Sequence, residues 1–220
     1  MNKERIPETN TGITGEILVQ DYDEFQKKLC DKGLLETKEV IKAGIVGGNV
    51  LEIGPGPGYL GLEWLKANPD ATLYWLEISQ DMLLLSQDNA EKYGLKNKIL
   101  PHLGNATQKF PFNNEHFDGV FTSSSLHEWE YPVKVLNEME RVLKNEGNFF
   151  IGDLKRNTNP LIKFIMKRNL NNKAMKQGLD SSVNAAYLKN EVLSLLEKSN
   201  FKKYNVKENL FGLSVFGMKV

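Results

Sequence analysis

Two acids and a run of glycines are the residues in this chain best suited to chemistry. In Leu51-Glu52-Ile53-Gly54-Pro55-Gly56-Pro57-Gly58-Tyr59 a carboxylate stands two residues before the first of three glycines. Glycine lets the backbone turn tightly and lets a ligand approach with no Cβ in the way. A helix opening after such a turn offers unpaired N–H groups at the positive end of its dipole, which suits a carboxylate, a phosphate or a nucleoside. The spacing is Gly-x-Gly-x-Gly, and Tyr59 occupies the place where the dinucleotide pattern Gly-x-Gly-x-x-Gly has its third glycine. Glu52 would repel a pyrophosphate and attract the ammonium of an amino acid. A second acid, Glu77, ends the next apolar run, where a carboxylate can accept bonds from both hydroxyls of a ribose. Further on, His127-Glu128 pairs a side chain that titrates near neutrality, a suitable base toward a hydroxyl, thiol or acidic carbon, with a carboxylate.

The elements that must position these groups alternate between short apolar runs and helical patterns. Asn49 to Ile53 predicts a strand, Tyr59 to Ala67 a helix, and Ala71 to Ile78 a second strand. Ser79 reads as the cap of a helix that Tyr93-Gly94 closes. Lys98 to Leu103, Phe117 to Thr122 and Asn148 to Leu154 predict three more strands. Between the last two, Tyr131 to Leu143 repeats apolar residues at helical spacing. Alternation of this length implies a parallel sheet covered on both faces. A helix over Lys189 to Lys198 precedes strands near Phe201 to Lys207 and Leu210 to Lys219, whose short connection favours an antiparallel hairpin.

The first glycine segment resembles motif I of the class I S-adenosylmethionine-dependent methyltransferases, of the small-molecule, quinone-methyltransferase-like group. The likeness runs through Phe149 to Asp153, over about half the chain, and more loosely beyond. S-adenosylmethionine carries an ammonium and no phosphate, in keeping with Glu52. The resemblance implies a Rossmann-like α/β fold: a seven-stranded, mostly parallel sheet with the last strand antiparallel. It implies that Glu52, Gly54, Gly56 and Gly58 serve the methionine end of the cofactor. Glu77-Ile78-Ser79-Gln80-Asp81-Met82 matches the family's ribose pattern in full, so Glu77 would hold the ribose while Ile78 and Met82 line the adenine. In Gly104-Asn105-Ala106 the family's usual Asp is replaced by Asn105, whose amide oxygen can still accept a bond from the adenine amino group; the backbone N–H of Ala106 would serve a ring nitrogen. Thr122 and Ser123 would border the methionine part, largely through backbone. The reaction implied is SN2 transfer of the methyl group to a small molecule, releasing S-adenosylhomocysteine. His127 and Glu128 are the candidate catalytic pair, although in-line alignment supplies most of the effect when the electrophile is a sulfonium.

One segment has no place in that pattern. Leu154 to Leu179 carries Lys155, Arg156, Lys163, Lys167, Arg168, Lys173 and Lys176 with no acid, interleaved with Leu161, Ile162, Phe164, Ile165 and Met166. It reads as an inserted lid over about 155–187, opposite an N-terminal cap over about 13–42, both within one domain spanning 1–220. The lid is a solvated helix with its apolar side on the sheet, a cationic cap over an anionic substrate, or a helix on a membrane surface serving a lipid-like one. Asp153 and Arg156 read either as a salt-bridged strand end or as contacts to a polar substrate.

The chain has 28 basic and 28 acidic residues, so net charge gives it no general attraction to nucleic acid or membrane. Cys30 is the single cysteine, and His102, His116 and His127 are too scattered to suggest a metal site. Met1 to Gly15 is polar, unlike a signal peptide, and no apolar run reaches a membrane span; the cytoplasm is the expected compartment. Ser123-Ser124-Ser125-Leu126 stands where DNA-adenine and glutamine methylases carry an Asn-Pro-Pro-Tyr type of tetrapeptide. Two rival readings use the same sheet: a non-catalytic S-adenosylmethionine-binding regulatory module, and a nicotinamide-dependent oxidoreductase.

Overall fold

A computed structural model describes residues 4–8, 13–170 and 172–220; part of the expectation for Met1 to Gly15 therefore lies outside the described residues. Seven strands form one sheet in the order β3-β2-β1-β4-β5-β7-β6: β1 (Asn49–Ile53), β2 (Thr72–Glu77), β3 (Ile99–Leu103), β4 (Phe117–Ser123), β5 (Leu143–Leu154), β6 (Lys203–Glu208) and β7 (Gly212–Met218). All neighbouring pairs are parallel except those of β7, which runs antiparallel to both β5 and β6. β5 begins at Leu143, earlier than its apolar run, because Leu143 pairs with Phe117 before the register shifts at Gly119.

Strand residues alternate between two apolar layers. On one side Leu51, Ile53, Val120, Phe149 and Ile151 pack against Val135, Leu136, Met139 and Val142 of α5 (Pro132–Val142) and Val192 and Leu196 of α8 (Lys189–Glu197). On the other, Val50, Leu73, Trp75, Phe121 and Phe150 meet Val40 of α2 (Thr37–Lys42), Leu62 and Trp64 of α3 (Tyr59–Ala67) and Leu83 and Ala90 of α4 (Gln80–Lys92). Each fully buried Leu, Val or Phe contributes about 1.5–3 kcal/mol, so the two layers fix the strand ends firmly.

Three further helices lie beside the carboxyl ends of the strands: α1 (Glu16–Asp31), α6 (Pro160–Arg168) and α7 (Lys173–Ala185). Asp23 of α1 accepts from the Tyr59 hydroxyl (2.9 Å) and from Asn89 (3.0 Å), tying α1 to α3 and α4. Asn159 caps α6, as its Asn-Pro pair predicts. Asn172 caps α7 and also reaches Asp21 of α1. The sheet reverses its strand order between β1 and β4, and in open α/β sheets the crevice for a ligand lies at such a point, outside the carboxyl ends.

Candidate active site

A cavity of about 660 Å³ opens at that place, within the range of roughly 300–1,000 Å³ usual for small-ligand sites. Its floor is the glycine turn. Gly54 and Gly58 take φ of 64° and 86°, in the left-handed region. A Cβ on Gly58 would stand 2.9 Å from the Trp75 ring, so neither the backbone nor the space there admits another residue. Gly58 therefore supports the turn from behind, while Gly54 and Gly56 line the cavity.

Glu77 ends β2 beside this turn. One carboxyl oxygen accepts from the Gly56 N–H (3.1 Å) and the other from the Ser79 N–H (2.9 Å). Burial raises its pKa, and backbone N–H groups oppose that shift. A carboxylate has about four acceptor positions, so two backbone bonds leave it room for a pair of hydroxyls. Ser79 caps α4, accepting from Met82 N (3.2 Å) and donating to Ile13 O (2.6 Å). Ile78, Met82 and Ala106 line the cavity next to it.

Two expected contacts are held differently. Glu52 is only 2% exposed. Its carboxyl lies against Gly61 and accepts from the Trp75 indole N–H at 2.7 Å. Burial raises its pKa to about 8 despite the indole and the Gly61 N–H, so the group is mainly neutral at pH 7, yet it still lines the cavity. The Asn105 oxygen accepts from both the N–H and the hydroxyl of Thr107, each at 2.8 Å. Both its lone pairs are occupied, so an adenine amino group would have to displace one of them.

At the ends of β4 and β5 the arrangement departs further from expectation. Thr122 does not line the cavity: it is fully buried and its hydroxyl donates to Ile53 O at 2.7 Å, joining β4 to β1. Ser123 does line it, and donates to Glu36 at 2.8 Å. His127 lies behind the wall. Its Nδ1 is 2.7 Å from Asp153 Oδ1, its backbone N–H donates to Asp153 Oδ2 at 2.7 Å, and its Nε2 faces Glu8 at 3.5 Å. Burial works against a charged ring, but the Asp153 carboxylate, helped by Glu128 and Glu8, outweighs it and raises the pKa to about 9. A ring held toward its charged form is a poor proton acceptor, and His127 is not among the residues lining the cavity, so both observations weigh against it as a base toward substrate. Arg5 holds the same corner, donating to the carbonyls of His127 (2.9 Å) and Ala185 (2.6 Å).

Glu128, by contrast, lines the cavity. Burial raises its pKa to about 7 against the lowering effect of His127. Glu36, the residue preceding α2, also lines the cavity and is likewise raised to about 7 by burial against its Ser123 bond. Sequence reasoning missed Glu36, and no motif marks it. Asp153 and Arg156 both enter ion pairs at this strand end, Asp153 with His127 and Arg156 with Glu191, and Arg156 also donates to Ala186 O.

The basic segment keeps most of its charge away from the cavity. Lys163 and Lys167 both bind Asp180, and Lys155 lies 3.8 Å from Glu208. Ile165, Met166, Leu170 and Leu179 face the cavity instead, opposite Tyr22 and Phe25 of α1. Burial raises the Tyr22 hydroxyl to about 12, so it stays protonated.

A family model described as a methyltransferase domain matches residues 46–200. The chain is 32% identical over 143 residues to the biotin biosynthesis bifunctional protein BioHC of Teredinibacter turnerae, covering 61% of this chain and 25% of that protein. It is 32% identical over 116 residues to the ubiquinone/menaquinone biosynthesis C-methyltransferase UbiE of Bordetella avium, covering 52% and 44%. It thus spans less than half the length of either relative. A crystal structure of an S-adenosylmethionine-dependent methyltransferase from Aquifex aeolicus superposes with a TM-score of 0.72 at 20% identity, covering 94% of this chain and 100% of the other. Sheet order, glycine turn and family match agree: the chain belongs to the methyltransferase-domain family and has the fold of its class I, S-adenosylmethionine-dependent members.

Proposed function

We propose that the chain transfers a methyl group from S-adenosylmethionine to a small-molecule acceptor held under α6 and α7. The observation that carries this reading is Glu77, anchored by the glycine turn and still able to accept two hydroxyls. Glu77 would hold the ribose, Ile78 and Met82 the adenine, and the turn at Gly54 and Gly56 the amino-acid end, with Glu52 beneath it. Bound there, the cofactor supplies a methyl group on a positively charged sulfur, leaving as S-adenosylhomocysteine. Ser123 and the wall at β4 position the acceptor. Glu128 is the group we assign to remove its proton, because it faces the cavity and is half ionised near neutrality. His127, Asp153 and Glu8 position Glu128 and hold its loop.

The proposed organisation is one methyltransferase unit with a cap over about 13–42 and a lid over about 155–187. No helix among the described residues is long and apolar enough to cross a membrane, and we place the protein in the cytoplasm, in keeping with its one unpaired cysteine, Cys30.

Titration calorimetry with S-adenosylmethionine and S-adenosylhomocysteine tests this reading. Micromolar binding by the wild-type chain and its loss in Glu77→Ala is the expected result. Absence of binding at millimolar ligand would overturn it and favour a nicotinamide ligand.

A further inference from the structure

The lid helix α6 is amphipathic in the wrong sense for a helix that merely covers a sheet. None of its residues is buried. Leu161, Phe164, Ile165 and Arg168 stand at i, i+3, i+4 and i+7 and so share one stripe. Leu161 is 65% exposed, Phe164 58% and Ile165 44%, and Arg168 is exposed as well. Lys163 and Lys167, which the usual pattern would turn to water, lean on Asp180 of α7 instead. Leu34 and Phe211 line the same cavity as Ile165 and are likewise exposed, so large apolar groups at the cavity's edge reach solvent from three separate segments. Single apolar side chains on a surface are ordinary; a clustered stripe of large ones marks a face that meets another apolar phase.

The charge beside the stripe indicates which phase. Residues 160–185 hold five bases and one acid, and that acid, Asp180, is taken by Lys163 and Lys167. Arg168, Lys173 and Lys176 are exposed and have no ion-pair partner among the described residues. A symmetric pairing of two copies through this face would set the same unpaired bases against each other. Large apolar side chains flanked by bases are instead the composition of a helix that lies in a lipid interface. We infer that the outer face of the lid docks on an anionic lipid bilayer, with Leu161 and Phe164 entering the boundary of the acyl chains and Arg168, Lys173 and Lys176 meeting the headgroup phosphates. The cytoplasmic leaflet carries such charge, in keeping with the proposed compartment. The inference concerns where the molecule sits and stands apart from the proposed methyl transfer.

Flotation of the full chain with lipid vesicles tests it. Vesicles of two parts phosphatidylcholine to one of phosphatidylglycerol should bind the chain about tenfold or more tighter than phosphatidylcholine alone, and the preference should shrink as salt is raised. Arg168→Glu combined with Lys173→Glu and Lys176→Glu should abolish the preference. Leu161→Ser combined with Phe164→Ser should weaken binding to the mixed vesicles by about tenfold or more. An unchanged thermal melt is the proof of folding for both. Should either variant not fold, Phe164→Trp decides: Trp64, Trp75 and Trp129 are buried, so the added exposed indole should shift its emission to the blue on mixed vesicles and not on phosphatidylcholine alone. No binding to either vesicle, equal binding to both, binding that survives both sets of substitutions, or no emission shift in Phe164→Trp would overturn the inference. So would a concentration-dependent dimer by light scattering that Leu161→Ser with Phe164→Ser abolishes, since a second copy would then cover the face. Titration with S-adenosylhomocysteine reads the proposed function separately.

Discussion

The two ends of the cavity are built on different principles. At β1 and β2 the ligand-facing groups sit on the strand ends themselves or within five residues of them: Glu52, Gly54, Gly56, Glu77, Met82. Their partners are mostly backbone N–H groups of the neighbouring turn. At β4 and β5 the groups come from distant parts of the chain: Glu8, Glu36, Glu128, Asp153 and the lid. There the contacts are mostly side chain to side chain. The first end is a fixed cradle that sequence distance hardly affects. The second is a chemical environment that exists only once distant segments meet, which is where a family can change its acceptor without changing its cofactor.

Substitutions can separate these ends, beginning with the largest effect. Glu77→Ala should weaken S-adenosylhomocysteine binding by about a hundredfold or more, since two charge-assisted bonds are lost and the turn loses its anchor; calorimetry reads it. Loss of less than tenfold would mean that the cradle is made by backbone alone. Glu128→Gln should lower kcat by about a hundredfold, within the range for removing a general base, while cofactor affinity stays within twofold of wild type, or roughly 0.4 kcal/mol. The pH profile sharpens this. A base must be ionised, and Glu128 titrates near 7, so kcat should rise as pH increases through about 7 in the wild type and stay flat in the variant. A wild-type profile without that rise would remove Glu128 from the chemistry.

Glu52→Gln should have a smaller effect, visible in thermal melts of the ligand-free protein. Folding raises the Glu52 pKa to about 8, so its contribution to stability is complete below the ordinary carboxylate range and is lost as pH rises through 8. A neutral amide escapes that loss and can still accept from Trp75. The variant should therefore match wild type near pH 4.5 and melt a few degrees higher above pH 8. A constant difference across that range would show that Glu52 is ionised in the folded state. Least of all, Asp180→Ala should cost about 0.2–1 kcal/mol per exposed pair and leave cofactor affinity unchanged, because the side chains of Lys163, Lys167 and Asp180 are 25%, 32% and 40% exposed.

The same division explains what was legible in the sequence. The alternation of strands and helices and the glycine turn follow from local spacing, and so does the Glu77 to Met82 run, whose residues share one strand end and one helix start. The start of α6 was equally plain from Asn159-Pro160. The helix α7 was not, because Gly178, Asp180, Ser181 and Ser182 dilute its apolar period. His127 stood out as a residue, but its role depends on Asp153 and Glu8, which neither spacing nor composition brings near it. Glu36 gave no signal at all: a carboxyl on an exposed helix start and one enclosed under a lid look the same in a one-dimensional pattern. Asn105 was read for the atom it could offer, and its own turn with Thr107 claims that atom first.

The contacts of Arg5 bear on the order in which the molecule assembles. Its guanidinium reaches Ala185 across 180 positions and also holds the His127 carbonyl. Closing so long a loop is entropically unfavourable until the intervening sheet has drawn its ends together. The stretch holding Arg5 is therefore expected to dock after the sheet has condensed, with the wall behind Glu128 setting late. Amide hydrogens there should exchange ahead of those in β1 and β4, so that the protein would acquire its nucleotide cradle before it acquires any discrimination among acceptors.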